Sequence, residues 1–216
     1  MKKPRLQNQK QRLHEMLLFE RRAWNRGYQC IAGIDEAGRG PLAGPVVAAA
    51  CVLPDTFSIE VRDSKQLLPS KRFELFQKLI ASCDYGIGIV EAQIIDEINI
   101  LQATFEAMIL AINNLSKKPD YILVDGPYLP KKSIIAGEPI IRGDEQSASI
   151  AAASILAKVT RDKIMDEWHD QWPQFGFHEN KGYPTPKHLA ALSVHGPTSI
   201  HRKTFAPVRS RLCQEV

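Results

Sequence analysis

Two adjacent carboxylates, Asp35 and Glu36, end an apolar run from Cys30 to Ile34 and precede a glycine-rich turn with one cation, Gly38-Arg39-Gly40-Pro41. Two further acids close apolar runs in the same way: Asp125 after Tyr121-Ile122-Leu123-Val124, and Asp144 after Ile140-Ile141-Arg142-Gly143. Strand neighbours point to opposite faces, so Asp35 and Glu36 cannot both sit in one core. An unpaired buried carboxylate is costly, so this tip requires cations or water. Four carboxylates from three strand ends, without cysteine or closely spaced histidine, form a donor set for hard divalent cations. Two such ions about 4 Å apart can serve the attacking water and the leaving oxygen of a phosphodiester displacement. Backbone N–H groups of the glycine turn, with Arg39, suit a phosphate or a sugar hydroxyl.

Two rival readings of the turn exist. It is also what a tight hairpin with solvated charges would look like. Gly38 to Ala43 further fits the G-x-G-x-x-A pattern of dinucleotide-binding proteins, but that motif requires the glycines to open a helix. Pro41 and Pro45 interrupt here, and the following Val46 to Leu53 is strand-like. A non-enzymatic protein that binds nucleic acid, its carboxylates merely solvated, is the remaining alternative.

The elements that must position these residues follow from periodicity. Cys30 to Glu36, Val46 to Leu53 and Cys83 to Val90 read as three strands on short connections, hence an antiparallel meander. Between the last two, Asp55 to Lys65 is a loop, and Pro69-Ser70 starts a helix with Ser70 as N-cap and Phe73, Phe76, Leu79 and Ile80 on its inner face. Asp96 is the expected N-cap of a second helix, on which Leu101, Phe105, Met108, Ile109 and Ile112 recur at helical spacing. Tyr121 to Val124 is apolar throughout, which signals a strand covered on both faces. Ile140 to Asp144 reads as a short strand ending in an acidic turn. Ser147 to Asp166 reads as a small-residue helix that can approach the sheet closely, with Lys158, Arg161 and Asp162 on its polar side. Thr185-Pro186 caps and starts a later helix. The histidines lack ligand spacing and read as surface or structural residues.

The chain has 216 residues, enough for one domain with appendages and a sizeable core. No apolar stretch reaches membrane-spanning length. The basic N-terminus has no apolar signal core, and four scattered cysteines form no C-x-x-C pair, so a reducing cytoplasm is expected. The net charge of +4 is unevenly spread: residues 1–27 carry +6, residues 200–216 carry +3 and the middle carries −5. Basic flanks around an acidic centre suit a polyanion gripped at its edges and a cation-filled site between them. The chain is expected to divide into a basic helical arm, 1–27, and one domain, 28–216.

Asp35-Glu36-Ala37-Gly38-Arg39-Gly40-Pro41 resembles the signature of the ribonuclease HII family. The resemblance continues through Asp63-Ser64-Lys65, Asn99-Ile100, Val124-Asp125-Gly126, Gly143-Asp144, Ala151 to Val159, Arg161-Asp162, Gly182-Tyr183-Pro184-Thr185, His195-Gly196-Pro197 and His201-Arg202, covering about residues 29–207. Each motif alone is weak; together they are specific. The related ribonuclease HIII family carries a threonine where Arg39 stands. The resemblance implies an α/β, ribonuclease H-like fold: a five-stranded mixed sheet flanked by helices, with a helical C-terminal part. It implies hydrolysis of the RNA strand of RNA–DNA hybrids, and nicking on the 5′ side of single ribonucleotides embedded in duplex DNA. Asp35, Glu36, Asp125 and Asp144 would bind two Mg²⁺ or Mn²⁺ ions. Gly38, Arg39 and Gly40 would read the ribose 2′-hydroxyl, which separates RNA from DNA. Tyr183 would stack at the RNA–DNA junction, and Lys65 and Lys158 would contact phosphates. A monomer is expected.

Overall fold

The computed structural model describes residues 11–59, 61, 67–131 and 133–212. The Asp63-Ser64-Lys65 motif, and with it the expected phosphate contact of Lys65, lies outside these residues. A five-stranded sheet has the order β3-β2-β1-β4-β5. Its strands are β1 (Ile31–Ala37), β2 (Val46–Val52), β3 (Asp84–Val90), β4 (Tyr121–Asp125) and β5 (Ala136–Ile140). The expected meander is present: β1 with β2 and β2 with β3 are antiparallel. β4 then pairs parallel to β1, and β5 parallel to β4.

The helices are α1 (Leu18–Asn25), α2 (Pro69–Ser82), α3 (Ala92–Ile98), α4 (Ile100–Asn113), α5 (Ala148–Gln171), α6 (Phe177–Asn180), α7 (Pro186–His195) and α8 (Ala206–Leu212). Alternate residues of each central strand face opposite layers. Ala32, Ile34, Ala48 and Ala50 pack with Ala103, Ala107 and Met108 of α4. Ala49 and Cys51 pack with Ala151, Ala152 and Ile155 of α5 and with Leu79 of α2. β1 and β2 are buried on both faces, which explains their unbroken apolar runs. A separate apolar cluster, including Leu42, Met165, Phe175, Phe177 and Leu192, holds the C-terminal helices against the end of α5.

α5 lies directly on β1 because Gly33 has no side chain. A Cβ there would stand 2.1 Å from the Ser149 carbonyl carbon and 2.3 Å from the Ile150 nitrogen. The arm is anchored to the same helix. Glu20, 1% exposed, accepts hydrogen bonds at one carboxylate oxygen from Ser147 Oγ (2.6 Å), Ser149 N–H (3.0 Å) and Ser149 Oγ (2.7 Å). This caps α5 from a remote segment, where a negative charge also meets the positive end of the helix dipole.

Four local expectations are corrected. The helix at 69–82 has Leu68, not Ser70, at its N-cap position, because Pro69 with its fixed φ and missing N–H occupies the first turn. Asp96 lies inside α3, and Asn99 is the cap: its Oδ1 accepts from Leu101 N–H (3.0 Å) and Gln102 N–H (3.2 Å) at φ +67°. The Asp96 carboxylate instead accepts from Lys203 N–H, Thr204 N–H and Thr204 Oγ, tying α3 to the C-terminal segment. The last strand ends at Ile140; Arg142 takes a left-handed conformation (φ +57°) and Gly143–Glu145 form a 3₁₀ turn. Arg161 is not on a solvated helix face: it is 1% exposed.

Candidate active site

β1 and β4 run parallel with Ile34 beside Val124, so their ends deliver Asp35 and Asp125 next to each other. Asp35 points to the α5 side, 4% exposed, and accepts from the Glu36 N–H (2.7 Å) and from Ser154. Burial first, then the charges of Glu36 and Asp125, hold its carboxyl well above the ordinary carboxylate range, against the pull of those two hydrogen bonds. Glu36, on the other side of the strand, lies 3.4 Å from the Arg39 guanidinium. Asp125 accepts from the Gly143 N–H at 2.6 Å.

Asp35, Glu36 and Asp125 line one cleft of about 280 Å³ with Gly38, Arg39, Gly40, Ser154, Lys158, Arg161 and Tyr183. Asp144 is not on its wall. It is 3% exposed, in the 3₁₀ turn whose Gly143 N–H holds Asp125. The four acids therefore come from two strand ends and one turn, rather than from three strand ends. Among the described residues no three such side chains stand at ready-made metal-ligating separation. Three of the acids have donors in place: Asp35 accepts from the Glu36 N–H, Asp125 from the Gly143 N–H and Glu36 from Arg39. The donor set fits a hard cation. It is all oxygen, with Asp35 and Asp144 buried and Glu36 and Asp125 half-buried, and the proton affinity of Asp35 is raised by burial and then by two acidic neighbours, whose repulsion positive charge would relieve.

The glycine turn is held from beneath by two buried arginines, and the sequence reading missed this role for both. Arg161 donates Nε to the Pro45 carbonyl (3.0 Å), Nη1 to Lys181 (2.9 Å) and Nη2 to Ala43 (3.1 Å). Arg202, 0% exposed, donates to the carbonyls of Gly38 (2.6 Å), Arg39 (3.0 Å) and Gly44 (3.0 and 2.8 Å). Burial lowers Arg161 to about 10; burial, then the neighbouring Arg161, lowers Arg202 to about 9, so both stay charged at neutral pH. In a planar trans peptide the C=O and the following N–H point in opposite directions. With the Gly38 and Arg39 carbonyls turned to Arg202, the N–H groups of Arg39 and Gly40 face away from it, on the side where the turn lines the cleft. Gly38 itself has φ +98°, and a Cβ there would stand 2.1 Å from Arg161 Nε, so only glycine fits.

Tyr183 is 44% exposed on the cleft wall, its Cε1 3.5 Å from where a Cβ on Gly40 would be. Lys158 faces the cleft while donating to Asp162 (2.7 Å), which binds it to its own helix face. Of the histidines, His188 and His201 are buried and hydrogen-bonded to each other, as structural residues.

Comparison with known proteins agrees with this arrangement. A sequence model of the ribonuclease HII family matches residues 32–208. The chain is 54% identical over 201 residues to ribonuclease HII of Bacillus pumilus, covering 91% of this chain and 78% of that protein. It is 53% identical over 195 residues to ribonuclease HII of Chlamydia caviae, covering 89% and 91% of the two chains. The crystal structure of ribonuclease H2 from Pyrococcus horikoshii superimposes with a TM-score of 0.73 at 33% identity, over 86% of this chain and 98% of that one. With a five-stranded mixed sheet between helices and this match across most of its length, the chain belongs to the ribonuclease HII family, metal-dependent enzymes that cleave the RNA strand of RNA–DNA hybrids.

Proposed function

We propose that this chain, besides cutting the RNA strand of hybrids, nicks duplex DNA on the 5′ side of a single embedded ribonucleotide, and so serves in removing ribonucleotides from DNA. One observation carries the reading. The cleft that gathers Asp35, Glu36 and Asp125 also contains the Gly38-Arg39-Gly40 turn and the Tyr183 ring, so one nucleotide can be recognised where its phosphate is cut.

Asp35, Glu36, Asp125 and Asp144 would hold two divalent cations, Mg²⁺ or Mn²⁺. Such ions supply positive charge at the attacking and leaving oxygens of an in-line displacement. Hydrolysis forms one bond from water to phosphorus and breaks the bond from phosphorus to the 3′ oxygen upstream, which takes a proton. The products are a 3′-hydroxyl and a 5′-phosphate. The Arg39 and Gly40 N–H groups meet the ribose 2′-hydroxyl, and Arg39 adds charge beside the phosphate. Tyr183, half exposed on the cleft wall beside Gly40, stacks on the adjoining nucleotide. Lys158 sits on the cleft wall as a phosphate contact. The arm, residues 1–27, carries a net charge of +6 and its described part is anchored through Glu20; residues 28–216 form the catalytic unit.

The test is a labelled DNA duplex containing one ribonucleotide, incubated with Mg²⁺ or with EDTA, with the cut mapped. A metal-dependent nick on the 5′ side of the ribonucleotide is expected. Cutting only within longer RNA tracts would remove the roles given to the turn and to Tyr183. Binding without scission would leave a hybrid-binding protein with solvated carboxylates.

A further inference from the structure

The two elements assigned to ribose recognition are tied together behind the cleft by adjacent residues, His201 and Arg202. Arg202 fixes the glycine turn through the carbonyls of Gly38, Arg39 and Gly44. His201 reaches Tyr183 through His188. Its Nδ1 receives the Thr198 backbone N–H (2.9 Å) and lies 2.9 Å from Thr198 Oγ. A backbone N–H can only donate, so Nδ1 of His201 carries no proton and its Nε2 does. That Nε2–H points at His188 Nε2 (3.0 Å), which must accept; His188 Nδ1–H is then the donor to the Tyr183 carbonyl (2.8 Å). The direction of every bond in the chain Thr198, His201, His188, Tyr183 is fixed by its first member. Both rings are neutral: burial lowers His188, while burial and then His188 lower His201 to about 3.

The backbone repeats the connection. Arg202 N–H donates to the Leu42 carbonyl, Leu42 N–H to the Gly182 carbonyl, and Gly44 N–H to the Ile200 carbonyl, all at 2.8 to 2.9 Å. A turn and a tyrosine separated by some 140 positions in sequence are thereby held as one body.

We infer that His201 and Arg202 are positioning residues for ribose recognition: Arg202 sets the N–H groups of the glycine turn, and His201, through His188, sets Tyr183 against it. The inference rests on the proposed reading of the turn and Tyr183. A displacement of about 1 Å at such a site costs on the order of a hundredfold in rate.

The experiment uses the full chain and two substrates, DNA with one ribonucleotide and a hybrid with a continuous RNA strand. Arg202→Lys keeps a cation but loses the planar set of donors; His188→Phe keeps a ring but loses the donor to Tyr183. Each is expected to lower kcat/KM on the single-ribonucleotide duplex by roughly 10- to 100-fold, mainly in kcat, and several-fold less on the continuous hybrid. Because His188 acts through Tyr183, the effect of His188→Phe should vanish in a Tyr183→Ala background; a merely structural role would persist there. If His188→Phe does not fold, His188→Asn, which keeps a donor but cannot span both partners, enters the same cycle. Arg39→Ala and Tyr183→Ala are the controls. If they diminish the preference for the single ribonucleotide while Arg202→Lys and the His188 variants do not, the positioning role is overturned and the recognition reading stands. If the controls leave the preference intact, the recognition reading falls and takes this inference with it.

Discussion

Replacing Asp35 by asparagine should move stability and activity in opposite directions. The residue is 4% exposed, and its carboxyl is held well above the ordinary range by burial, by Glu36 and by Asp125. A carboxyl whose folded value lies above its unfolded value destabilises the folded state at every pH above that folded value. Asparagine removes the charge, keeps an oxygen for the Glu36 N–H at 2.7 Å, and turns an NH₂ group toward acidic neighbours. Two hydrogen bonds become weaker, since a charged acceptor gives about 1.5–3 kcal/mol and a neutral one about 1 kcal/mol, a loss of about 2 kcal/mol in all. The upward direction of the shift shows that burial and repulsion exceed what those bonds return. A net gain of about 1–2 kcal/mol is expected, the usual scale for relieving a strained functional site. For a chain of this size that raises the unfolding midpoint by about 2–8 °C. The assay is thermal unfolding in EDTA beside cleavage of a single-ribonucleotide duplex, where activity should fall by ~10²–10³-fold or more. Adding Mg²⁺ should stabilise the unsubstituted protein by about 1.4 kcal/mol at ten times its dissociation constant, and the variant by less. An unchanged or lower midpoint for Asp35→Asn in EDTA would refute the electrostatic account, and normal turnover would refute the site.

Three further outcomes follow from particular contacts. Glu20→Ala leaves the Ser149 N–H and the hydroxyls of Ser147 and Ser149 without their acceptor at the start of α5, so chemical denaturation should show a loss of about 2–3 kcal/mol, with Glu20→Gln recovering part of it. Gly38→Ala forces a Cβ to 2.1 Å from Arg161 Nε and 2.7 Å from the Pro45 carbonyl at φ +98°; about 2–4 kcal/mol should be lost together with cleavage, and a variant as stable and active as the parent would contradict the clamp beneath the turn. His201, lowered to about 3 from 6.5, and His188, also lowered, refuse protons that the unfolded chain accepts. Stability should therefore fall as pH drops below 6.5, by about 1.4 kcal/mol per pH unit for His201 alone, while Asp35 contributes with the opposite sign; urea midpoints at pH 7.5, 6.5 and 5.5 that rise on acidification would oppose the neutral histidine pair.

The acids at Asp35 and Asp125 were legible because a strand announces itself by its apolar run, and a carboxylate closing that run must face whatever lies beyond the sheet. Four of the five strands, the meander of the first three and the both-faces burial of β4 follow from the same pattern. Asp144 was misplaced because reading a strand through Ile141 assumes that Arg142 stays extended, and nothing in the local sequence announces that a non-glycine residue turns left-handed there. The Glu20 cap was invisible for another reason: its partners stand 127 and 129 positions away, and a lone glutamate in a basic segment reads as solvated.

The buried arginines mark the harder boundary. A charged residue is normally assigned to the surface, and the partners of Arg161 and Arg202 are backbone carbonyls, which carry no residue identity and leave no trace in the sequence. One signal for Arg161 was nevertheless present. Ile150, Ser154, Ala157, Arg161 and Met165 recur at intervals of three and four, and a residue on the inward stripe of a helix that covers a sheet is buried whatever its charge. A buried guanidinium needs several fixed acceptors, and a segment offering many carbonyls to one point is a loop rich in glycine and proline, such as Gly38 to Pro45. An arginine on the inner stripe and a glycine-rich loop therefore predict each other. In this chain Arg161 takes the carbonyls of Ala43 and Pro45 while Arg202 takes those of Gly38 and Arg39, and it is Arg202 that leaves the N–H groups of Arg39 and Gly40 facing the cleft.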